Sequence, residues 1–229
     1  MKNPSLIIVP ALLLACMPTF LTGCASNDII TGTDQIVGSG RIVTESRSVP
    51  PFAGIRITNY AKVLLTQDTV ESLRIEADDN ILSRIQTQVI GGVLVAGLPE
   101  GSYNNITVIL HASMRTIALL ESTGAADFSA TAPISTNDLL CRITGTGSIA
   151  LSGTAGRETI EITGAGNVRN FGLVANRCSA LISGAGAIEV TVSQQLDATI
   201  LGTGFITYAG NPPVANTSVL GVGTIRPAE

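Results

Sequence analysis

The stretch Ile143–Leu151, ITGTGSIAL, contains a Gly-x-Gly motif that recurs four more times toward the end of the chain. We call each such motif a notch. The later copies read ITGAGNVRN, ISGAGAIEV, ILGTGFITY and VLGVGTIRP, and their first glycines follow one another at spacings of 19, 20, 18 and 19 residues. Self-similarity at a fixed period of about 20 residues is typical of a solenoid in which each repeat forms one coil. The ten notch glycines are Gly145, Gly147, Gly164, Gly166, Gly184, Gly186, Gly202, Gly204, Gly221 and Gly223.

The repeats also predict the type of solenoid. Each repeat alternates apolar and polar residues with a period of two and shows no helical periodicity. A degenerate copy at Ser122–Ala126 places Gly124 21 residues before the first notch, and an isolated copy opens the domain at Val37–Ile42. We therefore expect an all-β parallel β-helix with coils of 18–21 residues, strands stacked about 4.8 Å apart and a less regular first half.

The alternation predicts which residues face the interior. Cys141, Ile143 and Ile149 share one face of the first full repeat with the notch glycines. A side chain at a notch would collide with the opposite wall or block a bend, so glycine there would permit close backbone approach or a positive φ. We interpret the notches as structural corners.

Two ligand-binding interpretations of the notches fit poorly. A dinucleotide fingerprint needs a third glycine three residues after the second, and Ala150, Arg169 and Glu189 stand there. Calcium-binding repeats have a period of about nine residues and an aspartate two residues beyond the second glycine. This chain has Ile149 and Val168 at that position.

The first residues predict export. Met1 and Lys2 precede an apolar run from Leu6 to Leu21 that is interrupted by prolines, which is typical of a secretory signal. The run ends in Leu-Thr-Gly-Cys, which resembles the bacterial lipobox and predicts acylation of Cys24. The alternative is ordinary signal cleavage with Cys24 unmodified. We predict a lipoprotein signal peptide at 1–23, an anchor linker at 24–36 and one β-helical domain at 37–229.

Composition limits the partners and cofactors. The net charge is −4 and charged residues make up only 13% of the chain, so no basic patch is expected to neutralise phosphates. Nucleic acid is therefore not expected as a partner, and nothing in the sequence indicates a cofactor. Cys141 and Cys178 lie two predicted coils apart, about 9.6 Å along the axis, which exceeds the Cα separation of about 7 Å that a disulfide spans. We predict two buried free thiols.

The first half shows a less regular pattern. Alternation predicts strands at residues 55–68, 72–79, 92–98 and 105–112. We expect one or two helical turns or a curved crossover at 80–88, and an outward loop between coils at 128–140. His111, the single histidine, reads as structural because no nucleophile elbow accompanies it. Glu76, Asp78 and Asp79 form an acidic cluster that could bind calcium through oxygen, although a cap for a helix at 81–85 is the favoured interpretation.

One surface favours a binding role. At the last two notches the predicted outward positions change from small residues to Leu201, Phe205, Leu220 and Val222. Exposed apolar patches usually mark contact sites. We call these four residues the C-terminal patch and expect it to contact a partner or a second copy. The alternative is that a neighbouring segment of the same chain covers it.

Several segments carry a family resemblance. The resemblance rests on the serial notches and on the segments GSGRIVTESRSVPPFAGIRI, VLLTQD, LRIEADDNILSRI and YAGNPPVANTSVLGVGTI. From Val37 onward the chain resembles the putative auto-transporter adhesin, head GIN domain family. The resemblance implies a β-helical fold and a surface or adhesin-like role, with no established catalytic residue. This chain departs from the family in lacking an aspartate after the notch and in having Asn59–Lys62 in place of the Gly-Ile-Asn signature.

These observations give one leading hypothesis and two alternatives. The leading one is a lipid-anchored cell-envelope protein that acts as a structural or adhesin-like binding module without catalysis. Its partners would be the membrane through the anchor, a protein or glycan at the cell surface, and a second copy. Ala25 after the lipobox cysteine favours the outer membrane. The alternatives are a carbohydrate-active β-helix enzyme, of the polysaccharide lyase or hydrolase type, and an accessory subunit of an envelope complex.

Overall fold

The structure of the chain is a computed structural model that describes residues 35–228 of the 229. The predicted signal, lipobox and most of the predicted linker lie outside the described residues. The described strands are β1 Ile36–Val37, β2 Ile42–Arg47, β3 Gly54–Ile57, β4 Tyr60–Gln67, β5 Ser72–Asp78, β6 Gln86–Ile90, β7 Val93–Gly97, β8 Tyr103–Asn104, β9 Val108–Met114, β10 Leu119–Ser122, β11 Ala125–Ala130, β12 Ile134–Ile143, β13 Thr146–Ala150, β14 Ser152–Ile162, β15 Ala165–Ile182, β16 Ala185–Ile200, β17 Thr203–Ala209, β18 Val214–Val219 and β19 Val222–Pro227. One short helix, α1, spans Asp79–Leu82, and no helix among residues 35–228 could cross a membrane.

Two parallel ladders meet at the notch and build the predicted β-solenoid. The ladder before the notch runs β7–β3–β10–β12–β14–β15–β16–β18. The ladder after it runs β9–β4–β11–β13–β15–β16–β17–β19. The long strands β15 and β16 each take part in both ladders, because each continues around its coil from one notch to the next. The all-β solenoid prediction is confirmed.

Equivalent residues of successive coils stack in register. Ile143 pairs with Ile162, Ile162 with Ile182, and Ile182 with Ile200, and all four side chains are fully buried. Each coil alone could not bury these side chains, whereas the stack forms one continuous apolar core. The predicted inward alternation is therefore observed in the regular coils.

The order of coils at the N-terminal end differs from the order of the sequence. The coil formed by β3 and β4 comes first along the chain, yet it lies between β7 and β9 on one side and β10 and β11 on the other. Antiparallel strands complete this end, with β2 paired to β5, β5 to β9 and β6 to β7. The irregular first half is thus a hairpin-rich cap on the parallel stack. The helical turns predicted at 80–88 are limited to α1, Asp79–Leu82.

The predicted outward loop at 128–140 is wrong. β11 extends to Ala130 and β12 begins at Ile134, so only a short turn interrupts the coil there. Phe128 and Ile134 are buried and belong to the core. The polar sequence between them suggested a loop because Ser, Thr and Asn are common in turns. Here those residues lie on the solvent side of the strands.

The notch glycines are required by the neighbouring coil. A methyl group on Gly164 would overlap the backbone carbonyl oxygens of Gly145 and Thr144 in the preceding coil. Gly184 meets the carbonyls of Gly164 and Thr163 in the same way. We expected a side chain at the notch to collide with the opposite wall of the same coil. It would instead collide with the backbone of the preceding coil, along the solenoid axis. Among the ten notch glycines, only Gly147 and Gly223 adopt a φ that disfavours other residues.

The outer face of the first ladder has a row of alternating charges. Arg56 Nε lies 2.7 Å from Glu121 Oε2, and Arg142 Nε lies 2.7 Å from Glu161 Oε2. Arg142 Nη1 also lies 3.7 Å from Glu121 Oε1, which links the two pairs. The in-register stacking of coils places these residues above one another, so the alternation of opposite charges in this row is stabilising.

The core encloses one group of polar side chains. Glu158 is fully buried, pairs in register with Leu139 on one side and Cys178 on the other, and accepts a hydrogen bond from the Asn170 amide. Its Oε2 has no hydrogen-bond partner among the described residues. Burial raises the pKa of Glu158 to about 7, against the opposing effect of the Asn170 hydrogen bond. Cys141 and Cys178 are buried and free, as predicted, and burial raises the pKa of both thiols.

We expect Gly164→Ala to lower the free energy of unfolding by about 2–4 kcal/mol, because the new methyl group would force neighbouring coils apart. Gly101→Ala is the matched control, since a methyl group there meets the movable Tyr103 ring at 3.3 Å. The control should change stability by less than about 0.5 kcal/mol. Urea denaturation of both variants measures these changes in the free energy of unfolding. Equal losses of stability in Gly164→Ala and Gly101→Ala would refute the stacking explanation.

We expect stability to fall as the pH rises from 4.5 toward about 7, the interval between the ordinary pKa of a glutamate and that of Glu158 in the folded protein. In that interval the folded state retains a proton on Glu158 that the unfolded state has released, so unfolding releases a proton and is favoured by rising pH. The contribution of Glu158 is about 3 kcal/mol over this interval. Glu158→Gln should remove it, whereas the surface variant Glu161→Gln should retain it. Denaturation curves at several pH values decide, and an unchanged pH profile in Glu158→Gln would contradict the assignment.

Candidate functional site

The C-terminal patch is exposed in the structure. The exposed fractions are 48% for Leu201, 60% for Phe205, 76% for Leu220 and 70% for Val222. Leu201 and Leu220 occupy equivalent positions, because each donates its N–H to the carbonyl of the matching isoleucine one coil earlier. No segment among residues 35–228 covers these side chains, so the alternative of an internal cover is not observed there.

The outward positions of the preceding coils are different. They carry small, uncharged side chains beside the notches, including Thr144, Thr163 and Ser183, all exposed. Large apolar residues occupy these positions at the last two coils, and the aromatic Tyr60 occupies one in the β3–β4 coil, in register with Ala125. The C-terminal patch is therefore a local feature of the C-terminal end.

A groove lies at the other end of the solenoid, on the outer face of β2, β5, β9 and β4. Its volume is about 670 Å³. Register places Ser46 beside Arg74, Arg74 beside His111 and His111 beside Leu64 across the four strands. The wall carries hydroxyl groups from both sides of the groove, namely those of Ser46, Ser48, Thr66, Ser72, Ser113 and Thr131.

The titratable groups of the groove are partly engaged with one another. His111 Nε2 lies 3.2 Å from Glu76 Oε2, and Glu71 lies 3.6 Å from Arg115. Arg47 donates to the backbone carbonyls of Leu82 and Ile85, which fixes the end of α1. Arg74 has no acidic partner among the described residues. The groove therefore presents the unpaired guanidinium of Arg74 and the imidazole of His111, whose partner Glu76 does not line the groove.

Sequence reasoning treated His111 as structural and did not anticipate this groove. The alternation of the strand could have indicated an outward position for His111, because its neighbours Leu110 and Ala112 are both buried. The partners of His111 could not be read from the sequence, since Arg74 and Glu76 reach it through antiparallel pairing of β5 with β9. The structure places His111 in a cavity rather than in the core.

The acidic cluster does not converge on one point. Glu76 contacts His111, while Asp78 accepts hydrogen bonds from the N–H groups of Gly40, at 2.7 Å, and Thr107, at 2.6 Å. Asp79 pairs with Ser39 and Arg41, and the Ser39 hydrogen bond is the largest cause of its lowered pKa. No group of three or more candidate metal ligands occurs among residues 35–228.

Two details of the sequence interpretation are corrected by these contacts. Asp78 occupies the N-cap position of α1, yet its carboxylate makes no capping hydrogen bond. The carboxylate instead accepts hydrogen bonds from the N–H groups of Gly40 and Thr107. The isolated Gly-x-Gly at Val37–Ile42 is not a stacked notch, since Gly40 folds back onto Asp78 and β2 runs antiparallel to β5. The acidic residues attach the N-terminal segment to the solenoid.

Comparison with known proteins identifies relatives of the fold. A putative adhesin from Bacteroides fragilis has a TM-score of 0.70 and 25% identity over 84% of this chain and 100% of that one. A putative lipid binding protein from Parabacteroides distasonis has a TM-score of 0.52 and 20% identity over 85% of this chain and 100% of that one. The second likeness shows the fold alone.

Among curated proteins none matches the chain. The family model of the putative auto-transporter adhesin, head GIN domain matches residues 51–212. This range includes the β3–β4 coil, the groove strands β4, β5 and β9, and the coils up to β17. The resemblance noted from the sequence is confirmed, and the chain belongs to the putative auto-transporter adhesin, head GIN domain family.

Proposed function

We propose that the protein is a lipid-anchored binding module of the bacterial cell envelope, and that the C-terminal patch is its contact surface. The observation that carries the proposal is the cluster of exposed Leu201, Phe205, Leu220 and Val222 beside two successive notches, where the middle coils carry small side chains. Contact surfaces of proteins are enriched in large apolar and aromatic side chains. The adhesin family of the chain supports a role in binding at the cell surface or in the envelope.

The first described residues and the C-terminal patch lie at opposite ends of the solenoid. Acylation of Cys24 would hold the chain on a membrane by burial of acyl chains, each methylene contributing about 0.8 kcal/mol. The described chain begins at the capped end, where β1 pairs with β8, and finishes in the last coil. The C-terminal patch would then face away from the entry of the chain into the solenoid, where a partner can reach it.

We expect the double variant Leu201→Asp, Phe205→Ser to bind isolated bacterial envelopes at least about tenfold more weakly than the wild type, because it removes two apolar anchors. Val174→Asp with Phe171→Ser is the matched control, since both side chains are similarly exposed on another part of the surface. Pull-down of purified protein with envelope fragments measures the difference, and thermal unfolding verifies the fold. Equal binding by the two double variants would rule out the C-terminal patch as the contact surface.

A carbohydrate-active enzyme is the second candidate, and the groove is the observation that favours it. His111, which pairs with Glu76, and the unpaired Arg74 provide a proton-transfer group and a cation in one cavity. The groove lacks the aromatic platforms common in sugar sites, since none of its lining residues is aromatic. Binding without catalysis therefore remains our proposal.

If the groove were catalytic, His111→Ala and Glu76→Gln would each reduce polysaccharide cleavage by about a hundredfold. Glu45→Gln is the control, because Glu45 pairs with Arg47 outside the His–Glu pair. Reducing-end release and unsaturated-product absorbance from a panel of acidic and neutral polysaccharides measure cleavage. We expect no cleavage by the wild type, and cleavage that depends on His111 would replace the binding proposal with the enzymatic one.

A further inference from the structure

The last coil leaves the outer edges of two strands without neighbours. Among the described residues β18 pairs only with β16, and β19 only with β17. In every regular coil before it, strands have a neighbour on each side, for example β16 between β15 and β17. All six side chains of β18 are exposed. Within residues 35–228 the last coil is therefore open on its outer side.

The hydrogen-bond pattern identifies the free backbone groups of this coil. The N–H groups of Leu220, Val222 and Ala228 donate to the preceding coil. Parallel strands use alternate residues for each neighbour, so the odd-numbered residues present their N–H and C=O groups outward. The outward N–H donors belong to Ala215, Thr217, Val219, Gly223 and Ile225.

The outer edge of β18 lacks the features that usually prevent strand pairing, whereas β19 contains Arg226 and Pro227. Natural edge strands are protected by charged side chains, prolines or bulges. β18 has the sequence VANTSV, without charge or proline, and its pairing with β16 shows no register shift. The edge strand β2 at the other end contains Glu45 and Arg47. The contrast indicates that the outer edge of β18 is suited to pairing.

The two ends of the solenoid determine which partner fits. At the N-terminal end α1 closes the core, with Ile81 fully buried, and β2 is charged, so the last coil of one copy cannot continue onto the first coil of another. A two-fold contact instead joins two identical C-terminal ends. Such a contact brings like residues near one another, which an uncharged strand such as β18 tolerates and a charged strand would not.

We propose that two copies of this chain associate through their last coils about a two-fold axis, with the outer edge of β18 in antiparallel pairing with that of the second copy. The pairing satisfies the outward backbone groups of β18 and covers Leu220, which directly follows β18 and is the most exposed side chain of the C-terminal patch. Leu201 and Phe205 lie one coil further in and stay available for the proposed envelope contact.

Thr217→Pro tests the pairing. It removes an outward N–H while the bonds from β18 to β16, made by even-numbered residues, are kept, and proline is tolerated at such an edge position. Thr217→Val is the control, because it retains the N–H and a similar shape. Sedimentation velocity of the full chain in detergent should give a dimer for the wild type and Thr217→Val. Thr217→Pro should dissociate at least about tenfold more readily.

Crosslinking gives a second measurement that does not depend on a proline variant folding. A single cysteine at position 217 lies near its own counterpart only in a two-fold contact, and the native thiols of Cys141 and Cys178 are buried. A short bis-maleimide should therefore link Thr217→Cys into dimers in intact envelopes, and should not link Thr154→Cys on the exposed surface of a middle coil. A wild-type monomer at every concentration, or crosslinking of position 217 to a different protein alone, would overturn the proposal. Sedimentation velocity without envelopes measures self-association only. If the protein failed to bind envelopes, the dimer measurement would therefore be unaffected.

Discussion

The close approach of neighbouring coils at the notch is the constraint on which the rest of the structure depends. The first glycine of each notch lies directly over the carbonyl oxygens of the notch before it, with no space for a methyl group between them. This contact sets the height and the register of each new coil at one point. The isoleucines just before the notches then stack in register, and the core becomes continuous.

In-register stacking also explains where polar groups are placed. A residue at a given position lies above and below the equivalent residues of its neighbours, so an opposite charge one coil away stabilises a charge there. The row from Arg56 to Glu161 meets this requirement on the outer face. Glu158 has no such partner, because Leu139 and Cys178 flank it, and its raised pKa reports the cost of that position.

Spacing and alternation predicted the coils from Gly145 onward, because they report the same geometry in every one of these coils. They did not predict the coil at 128–140, which was read as a loop, and the buried position of Glu158 was not anticipated. The N-terminal half could not be predicted in this way, since β3 and β4 stack between strands that come later in the chain. The groove depends on that rearrangement. Its residues Arg74 and His111 are far apart in sequence and join across an antiparallel pair.

The same physics indicates why binding features are found at the ends. A middle coil has neighbours on both sides, so the backbone edges of its strands are already paired. An end coil has one free side, so its side chains and backbone can change without disturbing the stack. The N-terminal end uses this freedom for a cap of antiparallel strands and α1, which creates the groove as it closes the core. The C-terminal end has no such cap among the described residues, and its apolar side chains and free backbone groups remain available to another molecule.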